Sequence, residues 1–435
     1  MPIRVLHAGV GPHNSCNVCN YALLKQTTIR FSTELRTAIN FNPKQPILVE
    51  SLEVHMILKS GNVFLEDGSF SRTDLAIESG RITSIGVDLY AGSDHEDELN
   101  LQGKFIIPGL VDIHVHGAMG ADFSDGISEG FQTIAEYLIA RGITSFLATS
   151  MSLPESTLFK CFSLASHVSK EITPTCSTLQ GINMEGPFLS TEKRGAQNAD
   201  FLSVPNWDMF SRLNEASGNT IRLVDVAPEL PGALEFISKA SAVCAVSLAH
   251  TNANYITASN AYLAGAKHAT HLFNGMCVYS HHEPGVVGAA LDYAEHVELI
   301  CDGLHVHPSL VRMIFSVLGP DRVCLVSDSM RACGMPDGTY DLGGQTVTVS
   351  GKLATIQSGS LAGSVSNLFE CMQNAVSFGI PLETAILAAT RNPAVAIGKY
   401  DRIGSISVNK TADLLIVNKD LTLCNVIHHG SLLNQ

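Results

Sequence analysis

One repeating pattern in this chain constrains its fold more than any other feature. Eight short apolar runs occur in order: Leu110–His116, Ser145–Thr149, Leu179–Glu185, Ile221–Ala227, Val243–His250, His268–His271, Val297–Asp302 and Val323–Asp328. Helical stretches separate them, among them Gly130–Arg141, Glu155–Lys170, Gly232–Ala240, Asn254–Ala264 and Pro308–Leu318. Eight alternating βα units predict an α/β fold built as a (β/α)8 TIM-type barrel. A doubly wound open sheet is the competing architecture, but no Gly-x-Gly-x-x-Gly turn supports it.

The two ends of the chain have a different texture. Met56–Lys59, Asn62–Leu65, Leu75–Ile77 and Arg81–Ile85 are short strands parted by turn signals at Ser60-Gly61, Asp67-Gly68 and Ser79-Gly80. The same texture returns at Ala412–Val417 and Cys424–Ile427. These segments predict one small β-sandwich domain from both termini, residues 51–106 with 396–435, flanking a barrel over residues 107–395. After the eighth run, Gly334–Gly363 is expected to form a hairpin and a loop, and Ser364–Phe378 and Leu382–Ile397 two helices. Residues 1–50 carry five basic residues (Arg4, Lys25, Arg30, Arg36, Lys44) against two acids (Glu34, Glu50) and no clear period. They read as a poorly patterned extension, either a transit-like leader or disordered sequence from an upstream start.

Composition narrows the function classes. A formal charge of −14 argues against nucleic acid as a partner, because phosphate backbones need a basic surface. An anionic small substrate would need local positive charge at its site. No run of 18 or more apolar residues suggests a membrane-spanning helix. The 11 cysteines are odd in number and lie mostly in apolar strings, as expected of reduced thiols in a cytoplasmic protein. Cys16 and Cys19 have metal-ligand spacing without a second pair, and this spacing is read as incidental.

Chemistry-bearing residues gather where the runs end, the rim at which barrel enzymes keep their active sites. His114 and His116 end the first run, on one face of the strand because successive side chains alternate. Glu185 ends the third, His250 the fifth, His271 the sixth, Asp302 the seventh with His305 just after it, and Asp328 the eighth. An apolar strand gains nothing from ending in His, Glu or Asp, so six such endings at one rim point to function. Glu185, His250 and His271 make an open three-ligand metal site, and His114 and His116 could add a second ion bridged by Glu185. Asp328 is then the spare carboxylate, free to take a proton from an attacking water. A divalent ion lowers the pKa of water towards about 7 and polarises a carbonyl oxygen. Together these parts describe metal-assisted hydrolysis of an amide-like bond. A non-catalytic barrel would lack a ligand or Asp328, and neither is lacking.

Pro108-Gly109-Leu110-Val111-Asp112-Ile113-His114-Val115-His116-Gly117 resembles the opening of the amidohydrolase superfamily. Met184–Leu189, Leu248–Ala253, His268–Met276, Glu283-Pro284-Gly285, Asp302–His307 and Leu325–Asp328 together resemble the N-acetylglucosamine-6-phosphate deacetylase family. The resemblance runs from about Met56 to the end. It implies Glu185, His250 and His271 as metal ligands and Asp328 as the catalytic aspartate. The metal is expected to be Zn2+, at one or two ions per chain. Substrate contacts are implied at Asn274, Gly275, His305 and the loop Leu361-Ala362-Gly363. The implied reaction converts an N-acetylated amino-sugar phosphate to the amino sugar and acetate, in a homodimer.

Two positions depart from that family. His282 stands where many members have an Arg supplied by the neighbouring subunit. Gly195-Ala196-Gln197-Asn198 stands where many have Gly-(Ala or Thr)-His-Asn. Both family residues are associated with phosphate, so Ala196, Gln197 and His282 are assigned to substrate binding with the phosphate grip altered. N-acetylgalactosamine 6-phosphate, an unphosphorylated N-acetylhexosamine and a cyclic amide are the alternative substrates.

Overall fold

The computed structural model describes residues 56–89, 98–169, 173 and 175–433, which belong to one compact unit. The expectations for residues 1–50, Cys16 and Cys19 included, lie outside the described residues. All eight predicted barrel strands form: β1 Leu110–Val115, β2 Ile143–Thr149, β3 Thr178–Met184, β4 Ile221–Val226, β5 Ala245–Leu248, β6 His268–Ala269, β7 His296–Ile300 and β8 Val323–Val326. They pair in parallel and in chain order, and a bridge between Val115 and Ser329 joins β8 back to β1. Every residue of β1, β2 and β8 is buried, because helices cover the outside and side chains fill the inside.

One helix follows each strand: α1 Ser128–Ala140, α2 Glu155–Val168, α3 Trp207–Ala216, α4 Ala233–Ala240, α5 Tyr255–Leu263, α6 Gly285–Tyr293, α7 Pro308–Leu318 and α8 Leu368–Ser377. The apolar stripe of α1 shows why: Phe131, Ile134, Ala135, Leu138 and Ile139 recur at helical spacing and are all buried. Side chains of Asn206, Asn254 and Asn367 accept from backbone N–H groups in the first turns of α3, α5 and α8. The Asn367 cap starts α8 later than the expected Ser364.

The predicted helix over Leu382–Ile397 is instead two, α9 Leu382–Ala389 and α10 Arg391–Ala396, broken at Thr390. Pro393 is the reason. In one continuous helix its missing N–H would leave the Ala389 carbonyl unpaired, whereas in the first turn of α10 it costs nothing. The excursion after β8 has one strand more than the expected hairpin. Gly338–Leu342, Gln345–Ser350 and Leu353–Ile356 form a three-stranded antiparallel sheet. Gly343 and Gly344, with φ of 57° and 83°, make its first tight turn.

Strands from both ends of the chain share one sheet. Met56–Phe64, Phe70–Glu78, Arg81–Gly86, Glu98–Asn100 and Phe105–Pro108 join Leu414–Val417, Leu423–His428 and Ser431–Leu433. The seam is the antiparallel pairing of Phe105–Pro108 with Leu414–Val417, where Ile106 faces Ile416. The sheet curls back until Arg81 bridges Thr411. It thereby encloses its own core, including Leu58, Val63, Leu75, Ile77, Ile106, Leu414 and Ile427.

Candidate active site

The barrel brings the rim residues into one buried cluster. His114 lies in β1 and His116 just after it, while Glu185, His250, His271 and Asp328 each follow a strand by one or two residues. His250, His271 and Asp328 adopt left-handed backbone, with φ of 43°, 27° and 47°. Such a conformation costs a non-glycine residue on the order of 1–3 kcal/mol and persists only where its surroundings enforce it. Around Asp328 the enforcing bonds are visible. Its N–H donates to the His114 carbonyl at 3.0 Å, and its carbonyl accepts from the Ser364 N–H at 2.7 Å. The strand ends therefore turn these side chains inward at a backbone cost.

Glu185 is the centre of the cluster. Its Oε1 lies 3.0 Å from Nε2 of both His250 and His271, and 3.7 Å from His114 Nε2. Its Oε2 lies 3.3 Å from His116 Nε2. Asp328 Oδ1 sits 3.3 Å from His116 Nε2 and 3.6 Å from His114 Nε2. His250 and His271 approach Nε2 to Nε2 at 3.2 Å. Burial works against ionising Glu185, but the imidazoles of His114, His116 and His250 outweigh it and hold the carboxyl well below its ordinary range. Asp328 is likewise lowered, burial being outweighed by His114 and His116.

This donor set fits a metal ion. Four imidazole Nε2 atoms and two carboxylates converge, and the buried His114 Nε2 has no hydrogen-bond partner. Two overlapping groups have ligand atoms close enough to share an ion: His114, His116 and Asp328, and His114, Glu185 and His271. Two of the four outer nitrogens are fixed as metal ligands require, while Nδ1 of His116 and of His271 has no hydrogen-bond partner. His250 Nδ1 donates to the Lys193 carbonyl at 2.8 Å, and His114 Nδ1 to Glu298 Oε2 at 3.0 Å. Glu298 also accepts from His268 Nε2 and from the His271 N–H.

Above the cluster opens a cavity of about 360 Å³. Of the sequence-predicted residues, His116, Glu185, Ala196, Gln197, His250, His271, Asn274, Gly275, His305, Asp328, Leu361 and Gly363 line it. Ala362 is buried beside Leu361 but is not part of the lining. His282 is exposed, packs on His281 and does not line the cavity. Gln197, expected at the substrate, also bonds Glu185. Its amide donates to Glu185 Oε2 at 2.8 Å and accepts from the Ser152 N–H at 2.7 Å. Gly275 has φ of 61°, and a Cβ there would come within 2.5 Å of His250 Nδ1. His305 Nδ1 bonds Asp302 Oδ2 at 2.7 Å. Burial alone would lower the His305 pKa, but Asp302 raises it above the ordinary value.

Several lining residues were not singled out from sequence: Met151, Glu192, Lys193, Phe273, Leu342 and Ser360. Lys193 is the one Lys or Arg in the lining among the described residues. It belongs to a short polar loop, where no periodicity marks a functional position. Glu298 did carry a signal. A carboxylate inside the apolar run Val297–Ile300 is tolerated only when paired.

Residues 105–432 match the family model of the amidohydrolase family. An N-acetylglucosamine-6-phosphate deacetylase of Bacillus subtilis (strain 168) is 34% identical over 379 residues, spanning 85% of this chain and 96% of that protein. An N-acetylgalactosamine-6-phosphate deacetylase of Escherichia coli O157:H7 is 30% identical, spanning 86% of this chain and 98% of that protein. Among solved structures, a variant N-acetyl-D-glucosamine-6-phosphate deacetylase from Mycobacterium smegmatis, in complex with N-acetyl-D-glucosamine-6-phosphate, superposes with a TM-score of 0.80. That pair is 31% identical, covering 87% of this chain and 99% of the other.

Proposed function

The chain belongs to the amidohydrolase family, and we propose that it hydrolyses the N-acetyl group of N-acetyl-D-glucosamine 6-phosphate, giving D-glucosamine 6-phosphate and acetate. The observation that carries this reading is the buried convergence of His114, His116, Glu185, His250 and His271 beside Asp328, on the floor of one cavity. Those five side chains would hold one or two divalent ions, and Zn2+ suits their nitrogen and oxygen donors. Bound there, the metal would polarise the acetyl carbonyl and make water more acidic.

The chain's own groups account for the proton traffic. Asp328, kept ionised by its imidazole neighbours, takes a proton from the attacking water as the carbon–oxygen bond forms. It returns that proton to the nitrogen as the carbon–nitrogen bond breaks, so acetate and a free amine leave. Gln197 keeps the Glu185 carboxylate oriented throughout. His305, anchored through Nδ1 on Asp302, presents its ring to the sugar. Asn274, Leu361 and Gly363 shape the remaining wall.

Lys193 supplies the local positive charge that an anionic substrate requires in a chain of net charge −14. His282, outside the lining, serves the cavity of a neighbouring subunit in a homodimer. The free cysteines among the described residues suit a reducing, cytoplasmic setting.

Acetate release from a panel of phosphorylated and free N-acetylhexosamines tests the reading. The 6-phosphate of N-acetylglucosamine should have the highest kcat/KM, and Lys193→Ala should raise KM for it more than for the free sugar. Equal kcat/KM for the free sugar and its 6-phosphate would overturn the phosphate assignment. A second reading, N-acetylgalactosamine 6-phosphate, is favoured by the relative of that specificity at 30% identity. The same panel decides between the two epimers.

A further inference from the structure

We propose a second cation site at the opposite end of the barrel from the cavity, in which Asp413, His428 and His429 hold a divalent ion of the Zn2+ class. The inference is independent of the substrate assigned above. Strand register makes the site. Leu414 pairs with Ile427 in the antiparallel ladder, so Asp413 and His428 meet on the next rung. His428 Nε2 lies 3.9 Å from Asp413 Oδ1, and both residues are buried.

His429 follows the strand as the first residue of the two-residue turn His429-Gly430, which leads into Ser431–Leu433 and takes positive φ at both positions. Adjacent residues of an extended chain send their side chains to opposite faces. Here His429 has φ of 48°, and its ring comes to lie beside that of His428, with centroids 4.1 Å apart. Both Nε2 atoms reach the same hydroxyl, Thr178 Oγ1 at the start of β3, at 3.1 Å and 2.9 Å. A hydroxyl has one proton. It can donate to only one of the two imidazoles, so it does not satisfy two ring lone pairs at once. A cation does: it accepts two ring lone pairs and a carboxylate at once.

One ligand atom from each of Asp413, His428 and His429 lies within 4.8 Å of the others. Two imidazoles and one carboxylate form a known zinc donor set, and Thr178 Oγ1 or water completes four-coordination. Asp413 and both histidines come from the terminal sheet, whereas Thr178 belongs to the barrel. An ion here would tie the two together at the end of the barrel where residues contribute to stability and not to catalysis.

Metal counting separates this site from the active one. The full chain is stripped with chelator, reloaded with Co2+ alone and desalted, and the ions per chain are measured with the visible absorption of tetrahedral cobalt. His250→Ala/His271→Ala protein should still retain an ion with that absorption, and adding His429→Ala to it should lower the count by one. His429→Ala and His429→Gln should each lose one ion relative to the unaltered chain, with kcat/KM unchanged. The glutamine variant keeps a group that can bond Thr178 but has no ring nitrogen, so it distinguishes ligation from hydrogen bonding. If both His429 variants keep the full count, the proposal is wrong. It also fails if the His250→Ala/His271→Ala protein holds no ion.

Discussion

At the rim of the barrel His114 and His116 face the carboxylates of Glu185 and Asp328, whereas at the base His296 faces His268, Arg322 and Lys267. Burial disfavours the charged imidazole in both places. At the rim the carboxylates overcome it, raising His114 well above its ordinary value and His116 to about 10. At the base burial is reinforced by the positive charges nearby, and His296 falls to about 3. Depth in the protein therefore does not decide what a histidine does here. The sign of the surrounding charge does: carboxylates act on His114 and His116, whereas the charged groups acting on His296 are positive. A cluster of that kind attracts a cation, while the base repels one from His296.

The largest test removes a rim ligand. His250→Ala or His271→Ala should lose the active-site metal and deacetylase activity together, because the proposed open site of three protein ligands has none to spare. Metal analysis beside acetate release measures both, and a variant that lost that metal and still turned over would break the contrast between the two ends. Asp328→Asn removes the proposed proton acceptor but leaves the four imidazoles and Glu185. It should keep metal near the level of the unaltered chain while kcat drops by at least about 10²-fold. Near-normal turnover in that variant would show that another group carries the proton.

A smaller effect is expected one layer deeper. Glu298 binds rim to base: it accepts from His114 Nδ1 and the His271 N–H on one side and from His268 Nε2 on the other. Burial would raise its carboxyl, but His114 and His268 together hold it at about 2. Glu298→Gln puts an NH2 group where one of those donors points. Metal affinity or kcat should fall about 10- to 100-fold, the usual cost of losing a partner behind a metal ligand. Restoration of turnover by excess metal would assign the loss to affinity, and no change in either quantity would remove Glu298 from the positioning role.

Where the sequence was readable, a physical period was at work. The eight barrel strands followed from apolar runs, and the rim endings from the six of those runs that stop at His, Glu or Asp. The terminal strands followed from short runs between turn signals. Gln197 was assigned to substrate, yet its amide is also taken up by Glu185, because a pairing between loops leaves no period in the chain. The left-handed conformations of His250, His271 and Asp328 were equally hidden, since no residue type there announces positive φ. His282 matched a motif by position, and it lies on an exposed segment outside this chain's own cavity lining. Sequence order specifies which residues follow one another, and the cavity is built from residues brought together by the loops after seven different strands.

The smallest effect lies at the base and concerns stability. His296 opens β7, and the guanidinium of Arg322 stays close because it donates to the carbonyls of Ala290, Leu291 and Ala294 around the end of α6. With those bonds on backbone oxygens, its charge remains available to repel a proton from His296. In the unfolded chain His296 titrates near 6.5, while in the folded chain its pKa is about 3. Between those values the unfolded chain binds a proton that the folded chain refuses, so stability falls as pH drops from about 6.5 towards 3. His296→Gln cannot take up that proton in either state and should remove this part of the acid sensitivity. Comparing thermal midpoints at pH 7.5 and pH 5, the drop should be smaller in the variant by about 4 °C, the size of shift that a change near 2 kcal/mol gives in a large domain. An unchanged drop would mean that the base of the barrel lets His296 titrate normally, and the opposition between the two ends would then reduce to the carboxylates at the rim alone.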